Sequence, residues 1–181
     1  MDVWTGYEIA HKILNKSGGS RDPEEICECL GIVLEDGYDL CNLKGMYSSA
    51  NRHRTIYLNR RLEGYLRRFV LAHEIGHDQI PEHRKRARNS TYQELQFFGG
   101  SDNSEREANS IAAHILIDDD EMINLMREGK TAKAIAAELE VPEDLLLIEI
   151  EDYRKIHPDF IVRLPRSGKG NYLRDFTDGS F

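Results

Sequence analysis

Two histidines four residues apart are the clearest chemical signal in the chain. His73 and His77 lie in HEIGH, which fits the pattern H-E-x-x-H on a helix. Four helical residues turn through about 400°, so both imidazoles project from nearly the same face and can bind one Zn²⁺. Glu74 lies beside His73 and can reach a metal-bound water without binding the metal. The pattern therefore indicates hydrolysis, with Glu74 as the general base that assists attack by that water.

The short pattern also occurs by chance on surface helices, so its context matters. Here it follows the apolar run Phe69–Ala72 within an amphipathic helix, which favours a metal site. A catalytic zinc needs a third protein ligand. His83 stands where H-E-x-x-H-x-x-G-x-x-H would place one, but that motif needs a sharp helix exit at its glycine. This chain has Ile80 there, and a β-branched residue is poorly suited to positive φ.

Glu105 is the stronger candidate for the third ligand. It opens the next amphipathic helix, and Asn109 follows one turn later. A carboxylate ligand with an amide in reach of a ligand histidine is a common arrangement at zinc sites. Glu107 lies about 200° around the helix from Glu105, so only one of the two can face the metal. Glu105 borders the apolar stripe of this helix more closely than Glu107 does.

The helices that carry these side chains must be held in place by the rest of the fold, which includes a small sheet. Apolar spacing and capping signals predict helices before the sheet, a hairpin at 44–58, and helices after it, with 81–101 polar and irregular. This order of elements indicates the α+β class. The predicted helices are 5–16, 22–30, 62–79, 104–117, 119–128, 131–139 and 143–156; a short strand is predicted at 32–35, and 165–181 is expected to be extended or flexible.

Composition excludes several classes of protein. The 181 residues carry 24 Lys and Arg against 32 Asp and Glu, a net charge of −8, which argues against general binding of nucleic acid. The three cysteines form no disulfide framework. We find no secretory signal and no apolar stretch of the roughly 20 residues that span a bilayer. We therefore expect a cytoplasmic protein with no membrane partner.

The two helical motifs together resemble the ImmA/IrrE family of zinc metallopeptidases. That family has Ala-His-Glu-hydrophobic-Gly-His on one helix and Glu-x-x-Ala-Asn-x-hydrophobic-Ala-x-x-Leu-Leu on the next. The stretch TIYLN also looks like the strand ahead of its metal-binding helix. One departure is visible, since the family often has proline soon after the second motif and this chain has three aspartates. The matching residues are Ala72–His77, Glu105, Ala108, Asn109, Ile111, Ala112, Ile115 and Leu116.

The resemblance implies a site and a fold. It makes His73, His77 and Glu105 the metal ligands, Glu74 the base, and Asn109 a residue that supports a ligand histidine. The implied fold is zincin-like, with a small, mostly antiparallel sheet packed on the HExxH helix and a mainly helical C-terminal half. We expect one domain over 1–157, whose helical C-terminal part covers about 119–157, and a tail over 158–181.

The resemblance also implies a substrate. It points to an endopeptidase that cuts a specific protein, commonly a helix-turn-helix transcriptional repressor encoded nearby. Zn²⁺ is the expected cofactor, although Mn²⁺ or Fe²⁺ suits the same ligands. Three rivals remain: a zinc-containing regulator that sequesters a repressor without cleaving it, a site occluded by 81–101 or by the tail, and a DNA-binding regulator using 131–150. The acidic residues of 143–150 argue against the last.

Other side chains have less specific roles. His114 could face the site but is more typical of a packed core histidine. Any of four tyrosines could stabilise an oxyanion, and nothing in the sequence chooses among them. Strand 54–58 could offer an edge on which an extended substrate adds as a further strand. The four tyrosines are Tyr47, Tyr57, Tyr92 and Tyr153.

Overall fold

The computed structural model describes residues 3–50, 53–89, 103–161 and 164–165. Over these ranges the chain forms eight helices and three strands. The helices are α1 (Val3–Lys16), α2 (Pro23–Leu30), α3 (Gly64–Gln79), α4 (Pro81–Asn89), α5 (Asn103–Leu116), α6 (Asp119–Arg127), α7 (Ala132–Glu138) and α8 (Glu143–Ile156); the strands are β1 (Val33–Tyr38), β2 (Gly45–Ala50) and β3 (His53–Asn59).

The three strands form one small sheet in the order β1-β3-β2. β2 and β3 are an antiparallel hairpin, with Tyr47 opposite Ile56, while β1 runs parallel to β3, with Leu34 opposite Ile56. The predicted α+β class is confirmed, and the sheet is mixed because one of its two strand pairs is parallel. β3 is the central strand and pairs with a strand on each side, so the hypothesis that 54–58 offers a free edge to a substrate strand is wrong.

Local signals in the sequence account for several helix ends. The side chain of Asp22 accepts a hydrogen bond from the backbone N–H of Glu24 at 3.0 Å, and Gly31 ends α2 with φ at 67°. Such a positive φ suits glycine, which has no Cβ to clash. Thr131 caps α7, its hydroxyl oxygen accepting a hydrogen bond from the backbone N–H of Ala134 at 3.3 Å.

The segment after the HEIGH helix differs from expectation. It was predicted to be irregular over 81–101, yet Pro81–Asn89 forms α4. Proline suits the first helical turn, and the Lys and Arg residues that follow are good helix formers, so this polar run forms a helix although it has little apolar periodicity. Residues 90–101 lie outside the described residues, as does most of the predicted tail at 158–181. The domain limits 1–157 and 158–181 stay a prediction.

The core brings α3 into close contact with α5. Phe69, Leu71 and Ile75 of α3 and Ile111 of α5 are fully buried. At Gly76 the helices nearly touch, since an added Cβ would lie 2.8 Å from the backbone oxygen of Ala108. The glycine of HEIGH therefore sets the separation between the two helices on which the predicted site lies. In the described part of the chain, no helix is long and apolar enough to cross a membrane.

Candidate metal centre

Three side chains from two helices converge on one point. Nε2 of His73 lies 3.0 Å from Nε2 of His77, and both histidines belong to α3. Glu105, from the first turn of α5, places one carboxylate oxygen 3.2 Å from His73 Nε2 and the other 3.4 Å from His77 Nε2. Among the described residues these three form the group that could hold a metal ion. The structure thus brings together the three residues predicted as ligands.

The spacing of these atoms fits a small divalent cation. Ligand atoms about 2.0–2.1 Å from a tetrahedral centre are about 3.3 Å from one another. Oε2 of Glu105 is buried and has no hydrogen-bond partner in the described structure, although it lies close to His73. Two imidazole nitrogens and a carboxylate this close need a positive charge between them, and two His plus one Glu is a known ligand set for catalytic zinc.

Burial and hydrogen bonds set the charge states of two of these groups. Burial lowers the pKa of His77 to about 4, so its ring is neutral at pH 7, as a metal ligand must be. Burial alone would raise the pKa of Glu105, but hydrogen bonds from His73 and His77 outweigh it and hold that pKa below its ordinary value. Glu105 is therefore ionised near neutral pH.

His73 differs from His77 because its neighbours favour a proton. Burial opposes protonation, but the carboxylates of Glu105 and Glu74 raise the pKa of His73 above its ordinary value. Nδ1 of His73 lies 2.8 Å from Oδ1 of Asn109 and donates to it, which leaves Nε2 directed at Glu105. A cation in the site would replace a proton on that nitrogen.

Glu74 lies between the sheet and the converging group, close enough to His73 and Glu105 to interact electrostatically with both. Its carboxylate accepts a hydrogen bond from the backbone N–H of Tyr47 on β2, and burial raises its pKa to about 7. A Cβ at Gly45 would lie 3.0 Å from Oε1 of Glu74, so the missing side chain there leaves space for the carboxylate. The other oxygen, Oε2, is buried without a partner among the described residues. Such a carboxyl can exchange a proton near neutral pH.

His83 lies behind His77 and is not a member of the converging group. Its Nδ1 is 3.0 Å from Nδ1 of His77, on the side of the ring away from His73. Its Nε2 is 3.2 Å from Oε2 of Glu107. The two residues weighed against Glu105 as ligands therefore contact each other beside the site.

A buried acid next to the motif was missed by the sequence reasoning. Asp78 is fully buried, and its carboxylate accepts hydrogen bonds from Tyr47 Oη at 2.7 Å and from Arg54 at 2.9 Å. These bonds fix the end of α3 to β2 and β3. The available signal was weak: Asp78 lies one helical turn after Glu74, on the helix whose residues Phe69–Ala72 are apolar.

The other predicted side chains lie in separate surroundings. Tyr47 has its hydroxyl bonded to Asp78 and is 2% exposed, so it cannot serve as an oxyanion donor in this conformation. Tyr153 packs against His157 and Phe160, and Tyr57 lies edge-on to Tyr38. Tyr92 lies outside the described residues. His114 is 2.9 Å from Glu149 of α8, as a packed core histidine would be.

Comparison with known proteins identifies the family. A family model described as the IrrE N-terminal-like domain, Peptidase_M78, matches residues 27–151. This range contains α3 and α5, and with them every residue of the converging group. A search of the curated proteins gave no match. Since the matched range is well over half of the 181 residues, the chain belongs to the IrrE N-terminal-like family of metallopeptidases.

Proposed function

We propose that this protein is a zinc-dependent endopeptidase that hydrolyses a peptide bond in a specific protein substrate. The observation that carries the proposal is the convergence of His73, His77 and Glu105, with the carboxyl of Glu74 buried beside them. Family membership supports a metallopeptidase. Zinc as the metal rests on the ligand set of two histidines and one carboxylate, which Mn²⁺ or Fe²⁺ also suits.

Each residue has a distinct role in the proposal. His73, His77 and Glu105 would hold the metal, and Asn109 orients His73 through its hydrogen bond. A metal held there would supply the polarisation of the scissile carbonyl and the acidification of a water. Glu74 takes the proton from the attacking water and gives it to the leaving amine, for which a pKa near 7 is well matched.

The substrate proposal rests on the family resemblance of the sequence. We propose a helix-turn-helix transcriptional repressor encoded beside this protein. The net charge of −8 favours a protein partner over direct contact with nucleic acid. A cytoplasmic location and the lack of a membrane partner stay predictions.

Cleavage of the repressor by the Glu74→Gln variant is the decisive experiment. The variant should bind one metal per chain and lose at least about 100-fold in cleavage rate, since general-base catalysis contributes about 10²–10⁴-fold. Glu82→Gln, at an exposed position on α4, is the matched control and should cleave normally. Cleavage is followed by gel electrophoresis and mass spectrometry of the products.

Glu105→Ala tests the metal centre in the same experiment. It should lose both metal and cleavage. If Glu74→Gln keeps its metal and releases repression as well as the wild type does, the protein acts by sequestering the repressor rather than by cutting it. Full metal content in Glu105→Ala would remove Glu105 from the ligand set and contradict the proposed centre.

A further inference from the structure

The side chains of His77, His83 and Glu107 form a hydrogen-bonded row that leads away from the converging group. Nδ1 of His77 is 3.0 Å from Nδ1 of His83, and Nε2 of His83 is 3.2 Å from Oε2 of Glu107. His77 and His83 are each 2% exposed, so the contact between their rings is sheltered from bulk water, while Glu107 is partly exposed. The three residues come from α3, α4 and α5. None of the ligand or base roles proposed above involves His83 or Glu107.

The hydrogen bonds along the row from His77 to Glu107 can run in only one direction, from donor to acceptor. Nε2 of His77 faces His73 and Glu105, so a metal there takes its lone pair and the proton of the neutral ring must sit on Nδ1. His77 then donates to Nδ1 of His83. That nitrogen accepts, so the proton of a neutral His83 ring is on Nε2, where it donates to the carboxylate of Glu107.

The position of α4 supports a role for this contact. The guanidinium of Arg84 donates to the backbone oxygen of Asp78, with Nε at 2.8 Å, which fixes α4 to the end of α3. His83 is the preceding residue, so the same bond holds its ring against His77. The other ligand histidine, His73, has a single partner on its Nδ1, the amide of Asn109. Each ligand histidine therefore has its own fixed acceptor.

We propose that His83 and Glu107 are positioning residues that hold His77 in its metal-binding tautomer and ring orientation. The proposal rests on the metal centre described above and adds two residues to it. The carboxylate of Glu107 makes His83 a better acceptor, and His83 in turn makes His77 a stronger ligand. Neither residue contacts the metal or the reacting groups.

Metal affinity measures this role directly. We expect His83→Ala and Glu107→Ala to weaken Zn²⁺ binding by about 10–100-fold, the usual effect of losing a partner of a ligand histidine, while one ion per chain still binds at saturation. The dissociation constant is measured by competition with a chromophoric chelator. His53→Ala, which alters an exposed histidine on β3, is the matched control and should bind as the wild type does.

A double variant tests whether Glu107 acts through His83. If it does, adding Glu107→Ala to His83→Ala should leave the dissociation constant within about 3-fold of that of His83→Ala alone. A further 10-fold loss would show that Glu107 supports the site directly, and would overturn the proposal that it acts through His83. Glu107 is partly exposed, so its variant remains informative if His83→Ala does not fold.

A conservative substitution and a spectroscopic signature separate positioning from packing. The amide oxygen of His83→Asn can take the place of Nδ1, so this variant should regain part of the affinity lost in His83→Ala. In the Zn²⁺-loaded wild type, long-range ¹H–¹⁵N spectra should show His83 protonated on Nε2. Protonation on Nδ1 would overturn the proposal, because that nitrogen could not then accept from His77.

Failure of the positioning role is distinguishable from failure of the metal centre. The positioning role would be overturned, with the centre intact, if His83→Ala and Glu107→Ala both bound metal as the wild type does while Glu105→Ala lost it. Retained metal in Glu105→Ala would overturn the centre itself. Zero metal at saturation in a folded His83→Asn protein would make His83 a ligand, which also overturns the positioning role.

Discussion

The carboxylate of Asp78 connects α3 to the sheet through Tyr47. Tyr47→Phe removes one hydrogen bond to a buried charged group, and bonds of this kind contribute about 1.5–3 kcal/mol. We expect the free energy of unfolding to fall by that amount in urea denaturation. The backbone N–H of Tyr47, which bonds Glu74, is unchanged, so the cleavage rate should stay within about 3-fold.

Tyr65→Phe is the control for this prediction. Tyr65 is 52% exposed, so its variant should keep the stability of the wild type. A large loss of cleavage rate in folded Tyr47→Phe protein would contradict the structural role given to Tyr47. Tyr47 would then again be a candidate for stabilising the oxyanion of the reaction.

A second buried pair, His114 and Glu149, predicts a dependence of stability on pH. Burial raises the pKa of Glu149 to about 7. Burial opposes protonation of His114, but its hydrogen bond to Glu149 raises its pKa overall. The groups that face the pair are Asp119 of α6, Asp152 of α8 and Tyr7 of α1. Both groups therefore hold protons more tightly in the folded state.

The sign of the effect follows from this uptake of protons. The contribution of Glu149 is complete below its unfolded pKa of about 4.5 and is lost as pH rises to about 7, and that of His114 is lost above its ordinary pKa. Relative to Glu149→Gln, the wild type should lose at least about 1 kcal/mol of stability between pH 5 and pH 8, since one pKa unit is about 1.4 kcal/mol. Urea unfolding with a chelator present measures it. A difference between the two proteins that is constant over this range would contradict it.

At the scale of single residues, the sequence predicts the converging group better than its surroundings. The spacing of His73 and His77 follows from helix geometry alone. The choice of Glu105 over Glu107 follows from the position of each residue relative to the apolar stripe of their helix. Asp78 is paired with Tyr47, 31 positions away, and with Arg54, 24 positions away, and no local pattern reports such contacts.

At the scale of elements, the contact between α3 and α5 depends on Gly76. Alanine normally stabilises a helix by about 1 kcal/mol relative to glycine. Here the added Cβ would meet the backbone of Ala108, so we expect Gly76→Ala to destabilise the protein by about 1–3 kcal/mol. It should also weaken Zn²⁺ binding by about 10-fold or more, the loss expected for a residue that supports a metal ligand. The reason is that the proposed metal ligands come from both helices.

Urea denaturation and chelator competition test Gly76→Ala together. Lys133→Ala, at an exposed position of α7, serves as the control and should change neither quantity. A gain of stability in Gly76→Ala would show that α3 and α5 can move apart without cost. That result would contradict the close approach described for them.

Element boundaries were predictable wherever a local signal marks them. Asp22, Gly31 and Thr131 mark helix ends in the sequence and in the structure. The parallel pairing of β1 with β3 was not predictable, because it depends on where the hairpin packs and not on the residues of either strand. α4 was missed since a run rich in Lys and Arg shows little apolar periodicity, although these residues favour a helix.

At the scale of the whole molecule, metal binding should stabilise the fold. At a free Zn²⁺ concentration 1,000 times the dissociation constant, binding adds about 4 kcal/mol to the free energy of unfolding. For a chain of this size that is a rise of about 8–16 °C in Tm relative to protein with chelator. Glu105→Ala should show a rise below about 2 °C. An equal rise in both proteins would place the bound metal elsewhere.

α5 joins both halves of the chain. Its first turn provides Glu105, while Ser110 and His114 bond Asp152 and Glu149 of α8 at 2.7 and 2.9 Å. Arg21 donates to the carbonyl oxygens of His114, Ile115 and Ile117 at its far end. The two motif helices thus cannot be grafted alone onto a new scaffold: without α8, buried polar groups would lose their acceptors. A minimal transplant of this metal centre has to extend from Arg21 to Asp152.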